Sequence, residues 1–299
     1  MAKKRLLFRL AHFYLGLIGF FGHLLPRRFM LYMAYLIGNF YWAVMPKDRE
    51  IVHRNLSRVL ENPAEVKKAV RRLFINYAKY LVDYTRMDLL RQDNFAHLTE
   101  GFQGKEYVDQ SFSLGKGGLI LTAHLGNWEM GGVFLTLMGY PLNVITAQDV
   151  ETRLHDYRVR LRQVQRIKVI TLNDTLSSSL AILQALKANE LVALLGDRDL
   201  FGKGIPVQFF GQTILFPIGP ALLAHLSEAT LIPTFVLMGP KDKYICRAEP
   251  PVELQRTGNR AKDLAVNTQR IATLMEKLIR FYPDQWYTFY DYFSKHRVS

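Results

Sequence analysis

Gly118-Leu119-Ile120-Leu121-Thr122-Ala123-His124-Leu125-Gly126-Asn127-Trp128-Glu129 packs a strand, a turn and a helix start into one short stretch. Its first part is an apolar run of strand length. A mixed apolar segment, Met130 to Met138, follows and suits a helix. Gly126 gives the chain the backbone freedom for a sharp turn between them. His124 then stands at the C-terminal edge of the strand. On a regular helix, residues five apart lie roughly 140° apart around the axis, at about 3.6 residues per turn, so His124 and Glu129 could not meet there. Across a turn at Gly126 they can. A carboxylate that holds one imidazole nitrogen leaves the other ready to take a proton. The pair is a candidate general base with its orienting group. The plainer alternative is a His capping a strand and a Glu favoured in a helix's first turn.

The same alternation continues downstream. Pro141 to Ala147 is a predicted strand, about 151–166 an arginine-rich helix, and Ile167 to Leu172 a strand. A helix over about 175–188 precedes the strand Leu191 to Gly196, which ends in Asp197-Arg198-Asp199. Leu231 to Met238 and Tyr244 to Glu249 are two further strands, and about Arg260 to Phe281 a long helix. Upstream, Asp48 to Leu56 is helical by period. Asn62-Pro63-Ala64-Glu65 starts a helix to about Met87, with Asn as N-cap and Pro at the first position. Its apolar positions Val66, Val70, Leu73, Tyr77 and Leu81 recur at threes and fours. The expected class is α/β, a mostly parallel central sheet flanked by helices with right-handed crossovers. Residues 101–117 are Gly-rich and polar. Gly115-Lys116-Gly117-Gly118 precedes its strand, so it is a turn and not an anion cradle. The His124 and Asp197–Asp199 clusters share the C-terminal sheet edge, where open α/β sheets bind ligands.

At 299 residues the chain can bury a sizeable core. Hydrophobic residues make up 49% and the mean hydropathy is −0.00, high for a soluble enzyme and low for a multispanning one. A net charge of +13 favours an anionic partner: lipid headgroups, an acidic carrier protein or nucleic acid. No nucleic-acid-binding module is present, so nucleic acid is not an expected partner. The single cysteine, Cys246, allows no intrachain disulfide. G-x-S-x-G, zinc-ligand spacings and a G-x-G-x-x-G between strand and helix are all missing, so no metal or cofactor is expected. At the N-terminus two apolar runs, Leu10 to Leu25 and Phe29 to Met45, fall short of a clean span of ~20 apolar residues. Their tyrosines and Trp42 suit headgroup depth, so residues 1–46 are expected to form membrane-associating helices and 47–299 the α/β domain. A buried helical hairpin or one short transmembrane helix are the alternatives.

His124-Leu125-Gly126-Asn127-Trp128-Glu129 resembles the H-x4-D/E motif of the glycerolipid and lipid A acyltransferase superfamily. Its form is close to that of the bacterial late acyltransferases of lipid A biosynthesis and of the mycobacterial phosphatidylinositol mannoside acyltransferases. The likeness extends from about residue 50 to the C-terminus, through Arg54-Asn55-Leu56, Asp197-Arg198-Asp199, Phe209-Phe210-Gly211, Pro217-Ile218-Gly219-Pro220 and Pro283-Asp284-Gln285-Trp286. The resemblance implies a glycerolipid acyltransferase-like fold, with His124 as general base on an acceptor hydroxyl and Glu129 orienting it. It also implies an arginine near the site. By distance from the His motif this is Arg162, with Arg166 as runner-up. Asp197, Arg198 and Asp199 would organise the pocket or bind phosphate. Phe210 would line an acyl or acceptor pocket, with core packing as the alternative. Asn127 and nearby backbone N–H groups would stabilise an oxyanion.

The implied activity is membrane-bound O-acyl transfer from acyl carrier protein or acyl-CoA to a hydroxyl of a glycolipid of the lipid A or lipopolysaccharide precursor type. The implied place is the cytoplasmic face of the cell inner membrane, against an anionic surface. Asp-Arg-Asp looks more like the phosphatidylinositol mannoside branch, which leaves that lipid or another lysolipid as an alternative acceptor. A thioesterase using the same pair and a non-catalytic lipid-binding protein are the remaining alternatives.

Overall fold

The computed structural model describes residues 22–147, 152–172, 175–199 and 202–298. Among the described residues the first three helices are α1 (Arg27–Val44), α2 (Pro46–Val59) and α3 (Pro63–Tyr84). Next come β1 (Thr99–Gln103), α4 (Lys105–Ser113), β2 (Gly118–Thr122), α5 (Trp128–Leu137) and β3 (Leu142–Ala147). They are followed by α6 (Thr152–Val164), β4 (Lys168–Leu172), α7 (Thr175–Lys187) and β5 (Leu191–Leu195). The chain ends with β6 (Ile205–Phe209), β7 (Gln212–Phe216), α8 (Gly219–Ser227), β8 (Thr230–Met238), β9 (Tyr244–Ala248), α9 (Arg260–Phe281) and the single turn α10 (Tyr292–Lys295).

Seven strands make one sheet in the order β1-β9-β8-β2-β5-β3-β4. The five from β8 to β4 are parallel. β9 pairs antiparallel with β8, and β1 runs with β9. The fold is therefore α/β with a mostly parallel sheet. β2 is buried along its whole length, which is why it reads as an unbroken apolar run rather than an alternating one. From β2 the chain steps outward through α5 to β3 and α6 to β4, then reverses through α7 to β5. With right-handed crossovers this reversal puts α5 and α6 on one face and α7 on the other. β5 slots between β2 and β3, so the connections leaving β2 and β5 part to opposite faces. A crevice opens at such a switch point, outside the strand C-termini.

Asn62 caps α3 by accepting the Ala64 N–H, with Pro63 at the first helical position. α3 ends at Tyr84, short of Met87, where a separate turn begins. Two stretches hold elements that were not anticipated. Residues 99–113 form the edge strand β1 and α4, and the glycine turn after them carries positive φ at Gly115 and Gly117. The loop 202–216 is a hairpin, β6–β7, whose turn residues Phe210 and Gly211 have φ of +49° and +71°. Two left-handed residues in a row match the twist of a tight hairpin.

α1 packs on α3 through Met30, Leu31 and Ala34. Gly38 allows the close approach, since a Cβ there would lie 2.6 Å from the Ile75 Cα. The outward side of α1 exposes Phe29, Tyr32, Leu36 and Phe40. Among the described residues no helix is long and apolar enough to cross a membrane. The first apolar run, Leu10 to Leu25, falls mostly outside the described residues.

Candidate active site

Strand register brings the two polar clusters together. β2 and β5 are neighbours, with Gly118 opposite Leu191 and Thr122 opposite Leu195. The Gly196 N–H donates to the Thr122 carbonyl at 2.8 Å and carries the pairing past the strand ends. One residue further, His124 faces Asp197. Its Nδ1 lies 2.7 Å from Asp197 Oδ1, and the same oxygen accepts the His124 backbone N–H at 3.1 Å. Asp197 Oδ2 accepts the Trp286 indole N–H at 3.2 Å. The Asp197 carboxylate is wholly buried. Burial pushes it up, but the charge and hydrogen bond of His124, with Arg198 beside it, outweigh this and hold it well below the usual carboxylate range. A carboxylate on Nδ1 fixes the proton there in the neutral ring and leaves Nε2 as the basic atom. Among the described residues no hydrogen bond reaches Nε2, and the His124 side chain is 18% exposed.

Glu129 is not the carboxylate against His124. Arg162 takes both its oxygens, Nε at 3.0 Å and Nη2 at 2.6 Å. The cause is where the helix starts. α5 opens at Trp128, so Glu129 sits in its first turn and points across to α6 on the same sheet face. Burial lowers the Arg162 guanidinium, but Glu129 more than offsets it and raises it above its ordinary value. The ion pair is nearly enclosed, with side chains about 10% exposed. Arg166 lies elsewhere, with φ of +58° at the exit of α6, beside an open surface depression that includes His155 and Lys168.

The turn between His124 and α5 is pinned by backbone bonds. Gly126 has φ of +67°, and a Cβ there would collide with the Val236 carbonyl oxygen. Its N–H donates to the Gln285 carbonyl at 3.0 Å, the Asn127 N–H to Val236 at 2.7 Å, and the Tyr287 N–H to the His124 carbonyl at 3.0 Å. The Gln285 side chain in turn bonds both backbone groups of Met238. The Pro283–Trp286 segment, recognised from sequence only by resemblance, is the clamp on this turn.

Asn127 does not reach the crevice. Its Oδ1 caps α5 by accepting the Met130 N–H at 3.1 Å, and its Nδ2 donates to the Tyr244 hydroxyl at 2.8 Å. That hydroxyl donates to Asp83 at 2.6 Å, and Arg27 grips Asp83 with two bonds of 2.8 and 2.7 Å. Both polar atoms of Asn127 are thus committed, in line with its preference for helix starts. Phe210 is also turned inward. It is 5% exposed and packs on Phe209, Trp286 and Phe293, with Arg280 over its ring. Arg198 lies beside Asp197, donates to the Tyr287 carbonyl at 2.7 Å and covers the Tyr290 ring. Asp199 accepts the Gly204 N–H at 2.8 Å and ties down the loop before β6.

Four aromatic residues at the site escaped the sequence reasoning as site residues. The Trp128 and His124 rings meet edge to face with centroids 5.1 Å apart, and Tyr80 and Tyr287 pack on Trp128. Tyr292 donates to the Asp197 backbone carbonyl at 2.5 Å. Its place inside the motif was the signal for Trp128, helical spacing in α3 that for Tyr80, and an aromatic-rich tail that for Tyr287 and Tyr292. Between α5 and the sheet lies an apolar seam holding a cavity of about 40 Å³. Thr122 and Trp128, which flank His124, are in its wall with Gly131, Gly132 and Phe134.

The family described as bacterial lipid A biosynthesis acyltransferase matches residues 1–295. A phosphatidylinositol mannoside acyltransferase of Mycobacterium tuberculosis (strain H37Rv) is 25% identical over 242 residues, 80% of this chain and 75% of the relative. Its counterpart in Mycolicibacterium smegmatis is 26% identical over 241 residues, 80% of this chain and 77% of the relative. With a match across almost its whole length, the chain belongs to the bacterial lipid A biosynthesis acyltransferase family and is an acyltransferase.

Proposed function

We propose that the protein moves a fatty acyl group from a thioester, on acyl carrier protein or coenzyme A, to a hydroxyl of a membrane glycolipid. The observation that carries this is the His124–Asp197 pair in the switch-point crevice, beside the Trp128 seam. His124 Nε2 takes the acceptor hydroxyl proton as that oxygen attacks the thioester carbonyl carbon. The tetrahedral intermediate then expels the thiolate, which takes the proton back from the imidazolium and leaves as free thiol. Asp197 keeps the ring in the required tautomer and stabilises its charged form, the logic of a triad without a covalent serine. Glu129 and Arg162 position the turn, a different role from the one first expected of Glu129. With the Asn127 amide committed to Tyr244, oxyanion stabilisation falls to backbone N–H groups at the start of α5, where a helix leaves donors unpaired. The acyl chain enters by spreading α5 from the sheet along the seam, where Gly131 and Gly132 thin the helix.

The names of the relatives favour a phosphatidylinositol mannoside acceptor and the family description a lipid A precursor, with another lysolipid as the remaining alternative. Residues 1–46 attach the 47–299 domain to the cytoplasmic face of the cell inner membrane. The exposed aromatic side of α1 and the +13 charge support an anionic lipid surface as the resting place. The test is transfer of labelled acyl groups from each donor to each class of acceptor, wild type against His124→Ala. Label on one glycolipid, lost in the variant at unchanged melting temperature, is the expected result. Free acid released without acceptor indicates a thioesterase, and variant turnover equal to wild type rules out the mechanism.

A further inference from the structure

Arg27 and Asp83 each stand at a helix end that disfavours them. Arg27 opens α1, where the helix dipole repels a cation, and Asp83 lies in the last turn of α3, where it repels an anion. Neither helix gains from its charge. Yet the two are paired by a fork of 2.8 and 2.7 Å in a nearly closed space, with side chains 18% and 3% exposed. A buried ion pair adds little stability over an apolar pair of the same shape. What this one adds is direction. Asp83 also accepts the Tyr244 hydroxyl at 2.6 Å, Tyr244 accepts the Asn127 amide at 2.8 Å, and Asn127 caps α5. Tyr244 and Asn127 are buried too. An unbroken line of hydrogen bonds thus runs from the first residue of α1 to the first turn of α5, the turn that sets Trp128 against His124.

The N-terminal half of α1 is lightly held. It packs on α3 through Met30, Leu31 and Ala34, in a small cluster with Ala78 and Val82 apart from the main core. The far end of the helix, at Tyr41 and Trp42, reaches the main core. Arg86 steadies the entry to α1 by donating to the Leu25 carbonyl at 2.9 Å. The Arg27 fork is the charged link between this half of the helix and the interior.

We propose that Arg27, Asp83 and Tyr244 are positioning residues for the transfer step, and that through them the seating of α1 on α3 sets the catalytic turn. They act through Asn127, whose cap fixes the start of α5 and with it the backbone donors assigned to the oxyanion. The proposal rests on the acyl-transfer reading. Since α1 bears the face proposed to meet the bilayer, the relay makes a correctly seated membrane helix a condition of turnover.

Backbone amide exchange tests the relay without turnover. The double variant Arg27→Met, Asp83→Leu removes both charges together and avoids stranding one in the core. At a temperature where it is folded, the amides of residues 126–131 should exchange about tenfold or more faster than in wild type, the scale of one charged hydrogen bond, while β2 and β5 keep their protection. In labelled-donor kinetics kcat should fall about 10- to 100-fold, since a misplacement of about 1 Å costs roughly 10²-fold. KM for donor and acceptor should stay within about threefold. Arg27→Lys, which keeps a cation beside Asp83 without the fork, should recover most of the lost kcat. Gly38→Ala disturbs the seat of α1 from about 16 Å along the helix, at 1.5 Å per residue, because its Cβ meets the Ile75 backbone. It should lower kcat in wild type and add nothing in the double variant. Wild-type exchange at 126–131 in the folded double variant overturns the proposal. So does a Gly38→Ala loss that simply adds to that of the double variant, or a loss that falls on KM. If the double variant does not fold, exchange at 126–131 in Gly38→Ala decides instead, faster for the proposal and unchanged against it. If wild type transfers from no donor, the acyl-transfer reading fails, and the exchange result still decides whether α1 is wired to the turn.

Discussion

Asp197→Asn asks which carboxylate serves His124. The carboxylate accepts three N–H groups: His124 Nδ1 at 2.7 Å, the His124 backbone at 3.1 Å and the Trp286 indole at 3.2 Å. An amide offers one accepting oxygen and one donating NH2. With the oxygen kept toward His124, the NH2 meets the indole N–H and two donors face each other in a sealed space. With the amide flipped, the NH2 faces Nδ1, and the ring must carry its proton on Nε2, the atom meant to accept one. The negative charge that stabilises an imidazolium is gone in both cases. In a serine-protease triad the same change costs about 10⁴-fold in kcat. We expect a fall of about 10³–10⁴ here, roughly 4–5.5 kcal/mol of transition-state stabilisation. KM should stay within about threefold, because Asp197 is buried behind the ring and is not expected to touch substrate. Glu129→Gln should act on stability instead. Arg162 would keep its charge with half its partner, and breaking a nearly enclosed pair costs about 3–5 kcal/mol. Steady-state kinetics with a labelled donor, run beside thermal unfolding, separates the two. The strand-register reasoning fails if Asp197→Asn keeps its kcat within tenfold while Glu129→Gln loses 10³ at an unchanged melting temperature.

Gly126→Ala should destabilise the fold by more than the roughly 1–2 kcal/mol of a left-handed residue alone, because its Cβ also displaces Val236; a wild-type melting temperature would contradict this. Tyr244→Phe leaves the Asn127 amide without an acceptor in the core, for a loss of about 1–3 kcal/mol in urea unfolding. Asp197 is held below its unfolded value of 3.8, so its contribution to stability is full above that pH and fades as pH falls toward the folded value. The acid side of the unfolding curve should therefore be shallower in Asp197→Asn, and parallel curves would remove Asp197 as a source. Tyr32→Ser with Phe40→Ser, at positions 59% and 68% exposed, should weaken sedimentation with anionic vesicles and leave melting unchanged; unchanged sedimentation would exclude α1 as the membrane face.

The sheet was largely legible because parallel strands covered on both faces read as apolar runs, as β2, β5 and β8 do. Helix starts were legible where chemistry marks them, as at Asn62-Pro63. Partner choice was not. The order β2-β5-β3 inserts a late strand between two earlier ones, and nothing within either strand encodes that insertion. His124 and Asp197 were both singled out and placed on one edge, yet their contact depends on register across 73 positions. Asn127 was misread for a different reason. A helix N-cap and an oxyanion donor call for the same residue type, and only burial against Tyr244 separates them. Phe210 illustrates the reverse case, where an aromatic loop tip in sequence became core once its hairpin folded onto Trp286.

The motif spacing still needs a physical account, since the carboxylate five residues after His124 does not touch it. Glu129 lies in the first turn of α5, a position that fits both an acid at a helix start and an α6 packed on the same face. Its pair with Arg162 joins those two helices at the level of the crevice. The turn between His124 and α5 is then held from three independent segments: α6 through Glu129, β8 through Asn127, and the C-terminal tail through Gly126 and His124. Asp197 adds a fourth hold, on the imidazole itself. The base role proposed for His124, which needs a hydroxyl within hydrogen-bond distance, calls for a supporting shell fixed to about half an ångström. On this view the five-residue spacing measures the distance from a strand end to a helix's first turn.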